Sequence, residues 1–173
     1  MASLMEGIDG DSLIPNKLNL LTVARIDKSE DYKGHNLILS ALSSLKTEDI
    51  KYQNILWTVI GNGSGVMNLK SKIIQEDLND QILLLGKVND EKLKEEYLNC
   101  SVFIMPSPYG IKFDGTATGE GFGIAYLEAA FAGKPSIACL EGGQTDFILN
   151  NKTGWLINPI ESELVQLLKI IFE

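Results

Sequence analysis

The sequence predicts an α/β protein built on a doubly wound, parallel, six-stranded sheet. Three observations carry this. Short apolar runs alternate with amphipathic stretches along nearly the whole chain. The runs are near-continuously apolar rather than alternating, as strands buried on both faces require. Polar, glycine-bearing turns separate the two kinds of segment, the pattern of strand–helix units covering both faces of one sheet.

The elements follow in order. "LNLLTVA" (Leu18–Ala24) reads as the first strand and "HNLILSALSSL" (His35–Leu45) as the first helix. "ILWTVIG" (Ile55–Gly61) is the second strand and Val66–Leu78 the second helix. "QILLLG" (Gln81–Gly86) is the third strand, followed by a charged helix in "NDEKLKEEYLNC". "SVFIMPS" (Ser101–Ser107) is the fourth strand; a Gly, Thr and Pro loop runs to Gly119, and a helix begins within Gly121–Ile124. "KPSIACL" (Lys134–Leu140) is the fifth strand. A short helix, a turn at Asn151–Gly154 and a sixth strand around Trp155–Ile157 come next, and a last helix starts near Glu161. Residues 1–16 read as a leader or linker, 17–159 as the domain, and 160–173 as the start of a C-terminal helix that is cut short.

Bulk properties narrow the function. A chain of 173 residues is one domain by default and long enough to bury a core. The net charge of −8 leaves no general footprint for nucleic acid and disfavours a merely electrostatic hold on anionic lipid. An anionic ligand would have to be held by local cations and backbone donors against that field. Cys100 and Cys139 lie in or beside apolar runs and read as reduced, packed thiols. No apolar run reaches the roughly 18 residues of a membrane span.

In a doubly wound sheet, ligands bind beyond the carboxyl ends of the strands, at the topological switch. After the first strand, "ARIDKSEDYKGH" places Arg25 and Lys33 on either side of a polar loop, an arrangement that suits an anion or is simply solvated charge. His35, the only histidine, reads as a helix-start residue rather than a base. After the second strand comes "GNGSG", Gly61–Gly65. A dinucleotide fingerprint needs its glycines after the first strand and a carboxylate ending the next, whereas the third strand here ends Gly86-Lys87-Val88, so a nicotinamide cofactor is not expected. No phosphate loop of the G-x-x-x-x-G-K type, no nucleophile elbow and no His/Cys metal spacing is present.

After the fourth strand, "TGEGFGIAYLEAAFAGKP" places Glu120 and Glu128 eight positions apart around the start of a helix. That start offers free N–H groups and a favourable dipole, and glycine lets a phosphate approach. Eight residues of helix advance about 12 Å and turn a side chain by about 80°. One carboxylate therefore precedes the amide cluster and one follows it. A carboxylate only accepts hydrogen bonds, so each can take a pair of hydroxyls. Hydroxyl acceptor, phosphate cradle and hydroxyl acceptor match a nucleotide diphosphate sugar. The alternative is a loop charge and a helix residue with no ligand.

These segments resemble retaining glycosyltransferase family 4 (glycosyl transferases group 1), enzymes of the GT-B type with two Rossmann-like domains. "EGFGIAYLE" resembles the family's E-x7-E motif; "VARIDKSEDYKGHNLILSAL", "VIGNGS", "LLGKVNDEKLKEEYLNCSVFIMPS", "EAAFAGKPSIA" and "GGQTDFILNNKTGWLINP" complete the match from about Lys17 onward. The resemblance implies the C-terminal, donor-binding half of such an enzyme. Arg25 and Lys33 would hold the donor diphosphate, Glu120 would face the transferred hexose, and Phe122, Gly123 and Ile124 would offer backbone N–H groups. Glu128 would take the ribose, Lys87 and Val88 would border the base, and Gly61 and Asn62 would wall the site. It further implies a UDP- or GDP-linked sugar as substrate, no further cofactor and no metal, and polysaccharide or glycolipid biosynthesis. The implied location is cytoplasmic, with any membrane contact made through an acceptor-binding half that this chain lacks. The fragment alone would transfer sugar poorly. A non-catalytic nucleotide-sugar-binding module working with a separate acceptor subunit is the competing reading.

Two features depart from the family pattern. The interval from Arg25 to Lys33 is long, and the usual G-G-x-x-E reads "GGQTD", ending in Asp146, to which no role is assigned.

Overall fold

The structure, a computed structural model, describes residues 17–28, 33–111, 117–118, 123–146 and 148–173. Its elements are β1 (Leu18–Val23), α1 (His35–Glu48), β2 (Ile55–Ile60), α2 (Val66–Gln75), β3 (Ile82–Gly86), α3 (Asp90–Asn99) and β4 (Val102–Ile104). They continue with β5 (Gly110–Ile111), β6 (Ala117–Thr118), α4 (Ile124–Phe131), β7 (Ser136–Cys139), β8 (Gly154–Ile157) and α5 (Glu161–Phe172). The main sheet has six strands in the order β3-β2-β1-β4-β7-β8, and every pairing within it is parallel. The doubly wound sheet predicted from the apolar runs is present.

Consecutive side chains of a strand face opposite sides, and the core divides accordingly. Leu20 joins Ile38, Leu42, Leu45, Ile55 and Trp57 beneath α1, α2 and α5. Leu21 joins Phe103, Met105, Tyr97, Tyr126 and Ala129 beneath α3 and α4. Thr22 is buried and stitches the central strands together: it accepts from Trp57 Nε1 at 2.9 Å and donates to the carbonyl of Ile104. α5 closes the first face, with Leu164, Leu168 and Phe172 in the core and Glu161 accepting from Ser40 and Ser44 of α1.

Several expectations shift in detail. β4 stops at Ile104, because Pro106 has no N–H for a ladder. α2 ends at Gln75, where Asp77 turns the chain at φ 53° and swings Leu78 into the core. A 3-10 turn at Ile50–Asn54, capped by Asp49 accepting from Lys51 N at 2.9 Å, was not signalled by periodicity. Within the predicted loop before Gly119, β5 and β6 pair antiparallel. The sheet is not fully covered at its edge: Leu83 on β3 is 54% exposed.

Candidate functional site at the carboxyl ends of the strands

β1 leads through α1 toward β2 on one side, while β4 leads through α4 toward β7 on the other. The switch point therefore lies between β1 and β4. Two contacts fasten the neighbouring helix starts to the exit of β4. Gly34, which caps α1 at φ 83°, lies so close to Pro106 that an added Cβ would stand 2.7 Å from its carbonyl oxygen. Only glycine fits, and Lys33 is thereby held beside the β4 exit. On the other side Tyr126, in the first turn of α4, donates to the carbonyl of Met105.

α4 starts behind Gly123, whose backbone is left-handed at φ 69° and ψ 53°, with no side chain capping the helix. The first helical bond runs from Tyr126 N to Gly123 O at 3.0 Å. The N–H groups of Ile124 and Ala125 precede it and are the orphans that a helix start presents to an anion. Ile124 is exposed. Glu120 and Phe122 lie outside the described residues.

The loop after β1 is fastened to the glycine turn after β2. Ile26 N donates to Asn62 O at 3.1 Å, and Gly65 N donates to Ile26 O at 2.7 Å. Asp27 accepts from both Ser64 N (2.8 Å) and Ser64 Oγ (3.0 Å), and its other oxygen lies 3.7 Å from Arg25 Nε. The hydrogen bonds from Ser64, backbone first, hold the Asp27 carboxyl below its ordinary range, with Arg25 adding to them. Arg25 itself is largely exposed, where a ligand can reach it. Gly61 is glycine because an added Cβ would stand 1.8 Å from Ala24 O. The Asn62 side chain turns back to accept from Gly63 N at 2.8 Å. Gly61 and Asn62 thus bring the second turn against the first.

Glu128 lies one turn into α4 and is held from α3. Tyr97 Oη donates to Glu128 Oε2 at 2.7 Å, with the carbonyl of Ala125 farther away at 3.3 Å. Val88, Leu93 and Ala125 pack on the same aromatic cluster as Tyr97 and Tyr126, which brings the end of β3 alongside α4. Lys87 is exposed at that end. His35 is buried with its ring 6.2 Å from that of Trp57, in keeping with a helix-start residue.

Asp27, Ser64 and Tyr97 were not singled out from the sequence. Tyr97 follows Leu93 by one helical turn and reads as part of a core stripe; only the structure shows its hydroxyl meeting a carboxylate. In "GGQTD", Gln144 is the buried member, donating to the carbonyls of Cys139 and Glu141 at 3.0 and 2.6 Å. Among the described residues, no helix is long and apolar enough to cross a membrane.

The chain is 30% identical over 139 residues to the amylovoran biosynthesis glycosyltransferase AmsK of Erwinia amylovora, covering 80% of this chain and 32% of that protein. It is 28% identical over 138 residues to a GDP-mannose-dependent alpha-(1-6)-phosphatidylinositol monomannoside mannosyltransferase of Mycobacterium tuberculosis, covering 79% of this chain and 34% of that one. The chain thus spans about a third of the length of these relatives. Among solved structures, Anabaena HepE in complex with UDP and glucose superposes with a TM-score of 0.71 at 19% identity, over 91% of this chain and 39% of that one. The C-terminal domain of LpcC, a glycosyl transferase group 1 family protein from Francisella tularensis, gives 0.67 at 21% identity, over 91% of this chain and 76% of that domain. The fold is that of the C-terminal Rossmann-like half of GT-B glycosyltransferases. Residues 8–172 match the family described as glycosyl transferases group 1, and the chain belongs to it.

Proposed function

We propose that this chain is the donor-binding domain of a retaining, metal-independent glycosyltransferase. The whole protein moves a hexose from a UDP- or GDP-sugar to an acceptor hydroxyl in polysaccharide or glycolipid synthesis. The observation that carries the reading is the arrangement around the β4 exit. There Gly34 brings Lys33 to one side, Tyr126 fastens the uncapped start of α4 to the other, and Glu128 lies one turn behind.

The barrier to transfer lies in the charge that develops as the bond between sugar and diphosphate breaks. Arg25, Lys33 and the N–H groups at the start of α4, those of Gly123 and Ile124 included, stabilise the leaving diphosphate. Glu128 accepts from the ribose hydroxyls. Lys87 and Val88 border the base, largely through backbone. Glu120 and Phe122 are assigned from the motif alone: Glu120 orients the hexose, and Phe122 adds a backbone donor. The sugar that HepE and the mannosyltransferase relative handle is a hexose in each case, named with UDP in one and GDP in the other.

The test is titration of the chain with UDP, GDP and their hexose conjugates. Glu128→Gln is expected to weaken the diphosphate and the nucleotide sugar alike. Glu120→Gln is expected to spare the diphosphate and to remove the extra affinity contributed by the sugar. The reverse pattern would place the ligand the other way round, and no binding at millimolar nucleotide would refute the reading. Robust transfer by this chain alone would refute its role as a donor-binding half.

A further inference from the structure

The Glu128 carboxylate is held by a side chain that the motif does not contain. Glu128 is solvent-exposed, on the wall of a groove of about 430 Å³ between α3 and α4 that Leu93, Leu98 and Phe131 also line. An exposed glutamate ordinarily samples several rotamers, and ordering one for a ligand lowers affinity. Tyr97, in contrast, is 5% exposed and fixed. Its ring lies 5.9 Å from that of Phe103, which in turn meets Tyr126 edge-on at 5.3 Å. Its hydroxyl carries a single hydrogen, and the 2.7 Å contact gives that hydrogen to Glu128 Oε2.

We propose that Tyr97 is a positioning residue for the donor nucleotide. Its hydroxyl anchors one oxygen of Glu128, leaving the other to accept from a vicinal diol, the ribose. The inference rests on the reading that Glu128 takes the ribose, and it extends that reading to a residue that touches no ligand. Two features suit Tyr97 to the task. Burial, reinforced by the hydrogen bond to Glu128, raises the phenol well above its ordinary range, so it remains a donor wherever the protein is folded. The aromatic cluster that fixes the ring also includes Tyr126, which fastens α4 to the β4 exit, so anchor and helix start are packed on one cluster.

The test compares UDP and GDP with their 2′,3′-dideoxy counterparts, by calorimetry on the chain and its Tyr97→Phe variant. The variant is first shown by circular dichroism to be folded. In the wild type the ribonucleotides bind more tightly than the dideoxy forms. Tyr97→Phe is expected to weaken the ribonucleotides about tenfold, the size of one hydrogen bond to a charged group, and to leave the dideoxy affinities unchanged. In a Glu128→Gln background the same substitution adds little. Equal losses for ribo and dideoxy ligands would mean that Tyr97 merely supports the fold, and no loss for either would mean that Glu128 needs no anchor. Each of these overturns the proposal while leaving Glu128 as the ribose residue. If the wild type binds both ligand forms alike, the ribose reading itself fails and the proposal with it.

Discussion

Gly61→Ala separates two reasons for a glycine after a strand. The turn "GNGSG" looks like a phosphate-approach loop, but the structure gives Gly61 another task. Its φ is 151°, and an added Cβ would lie 1.8 Å from the backbone oxygen of Ala24, where real Cβ atoms do not come within 3.0 Å. Relief has to come from backbone, since no flexible side-chain end is involved. Three hydrogen bonds span the region that must move: Ala24 N to Ile60 O (3.0 Å), Ile26 N to Asn62 O (3.1 Å) and Gly61 N to Gly86 O (2.9 Å). Each such bond is worth about 0.5–1.5 kcal/mol. Forcing a Cβ into a glycine-favoured conformation costs about 1–3 kcal/mol more. The expected destabilisation is about 2.5–7.5 kcal/mol, a large part of the roughly 5–15 kcal/mol that holds a domain together. For a chain of this size that lowers the melting temperature by roughly 5–30 °C. Thermal melts followed by circular dichroism, with urea unfolding as a second measure, read this directly. A variant that melts within about 2 °C of wild type but no longer binds a nucleotide would refute the packing argument and return the glycine to the ligand.

Three further outcomes concern other parts of the molecule. If Arg25 and Lys33 hold the diphosphate as proposed, Arg25→Ala and Lys33→Ala should each weaken a nucleoside diphosphate by about tenfold to a hundredfold while sparing the nucleoside, since each would remove one charge-assisted contact; equal losses in a titration would show that neither meets the phosphates. Cys100 and Cys139 are free and buried, and burial pushes their thiols up to about 11 and about 12; both should resist a thiol reagent at pH 8 in the native chain and react in urea, and stoichiometric labelling of the folded chain would contradict that. Glu161 is held below its ordinary 4.5 by hydrogen bonds from Ser40 and then Ser44. A folded pKa below the unfolded one adds stability above the unfolded value that is lost as pH falls through the folded value; melting temperature should therefore drop below about pH 4.5, and Glu161→Gln should flatten that part of the profile.

Legibility in the sequence divided along a physical line. Strands and helices were legible because burial imposes a period on the residues themselves. "LNLLTV" could hardly be anything but an interior strand, and α4 begins at Ile124, inside the window that its glycines marked. The candidate site residues read from the sequence were charges: Arg25 and Lys33 in the loop after a strand, and Glu128 inside a helix. The site was illegible where the contact is tertiary. Tyr97 and Glu128 are 31 positions apart, and nothing in "KEEYLN" distinguishes a tyrosine whose hydroxyl finds a carboxylate from one that merely fills a core. The same holds for Asp27 and Ser64, 37 positions apart, which join two loops through two short hydrogen bonds. Glu120 and Phe122 rest on the motif alone, since they lie outside the described residues.

The net charge of −8 makes the arrangement at the β4 exit easier to understand. A protein that repels anions over most of its surface gains little from scattered lysines when it must hold a diphosphate. Screening over about 8–10 Å blurs any distant cation into the acidic background. Useful positive charge has to be local and fixed, and the structure fixes it through backbone. Lys33 is placed by the fit of Gly34 on Pro106, and the start of α4 by Tyr126 on Met105. Arg25 is flanked by Asp27, which is itself held by Ser64. If Arg25 meets a diphosphate as proposed, an acid beside it would weaken the site were it free to approach the ligand. Here two hydrogen bonds from Ser64 turn one of its oxygens toward the glycine turn. The carboxylate thus lies beside Arg25 while remaining committed to the loop behind it, and on the proposed reading a preference for the diphosphate over the bare nucleoside would rest on such local charge rather than on the protein's overall charge.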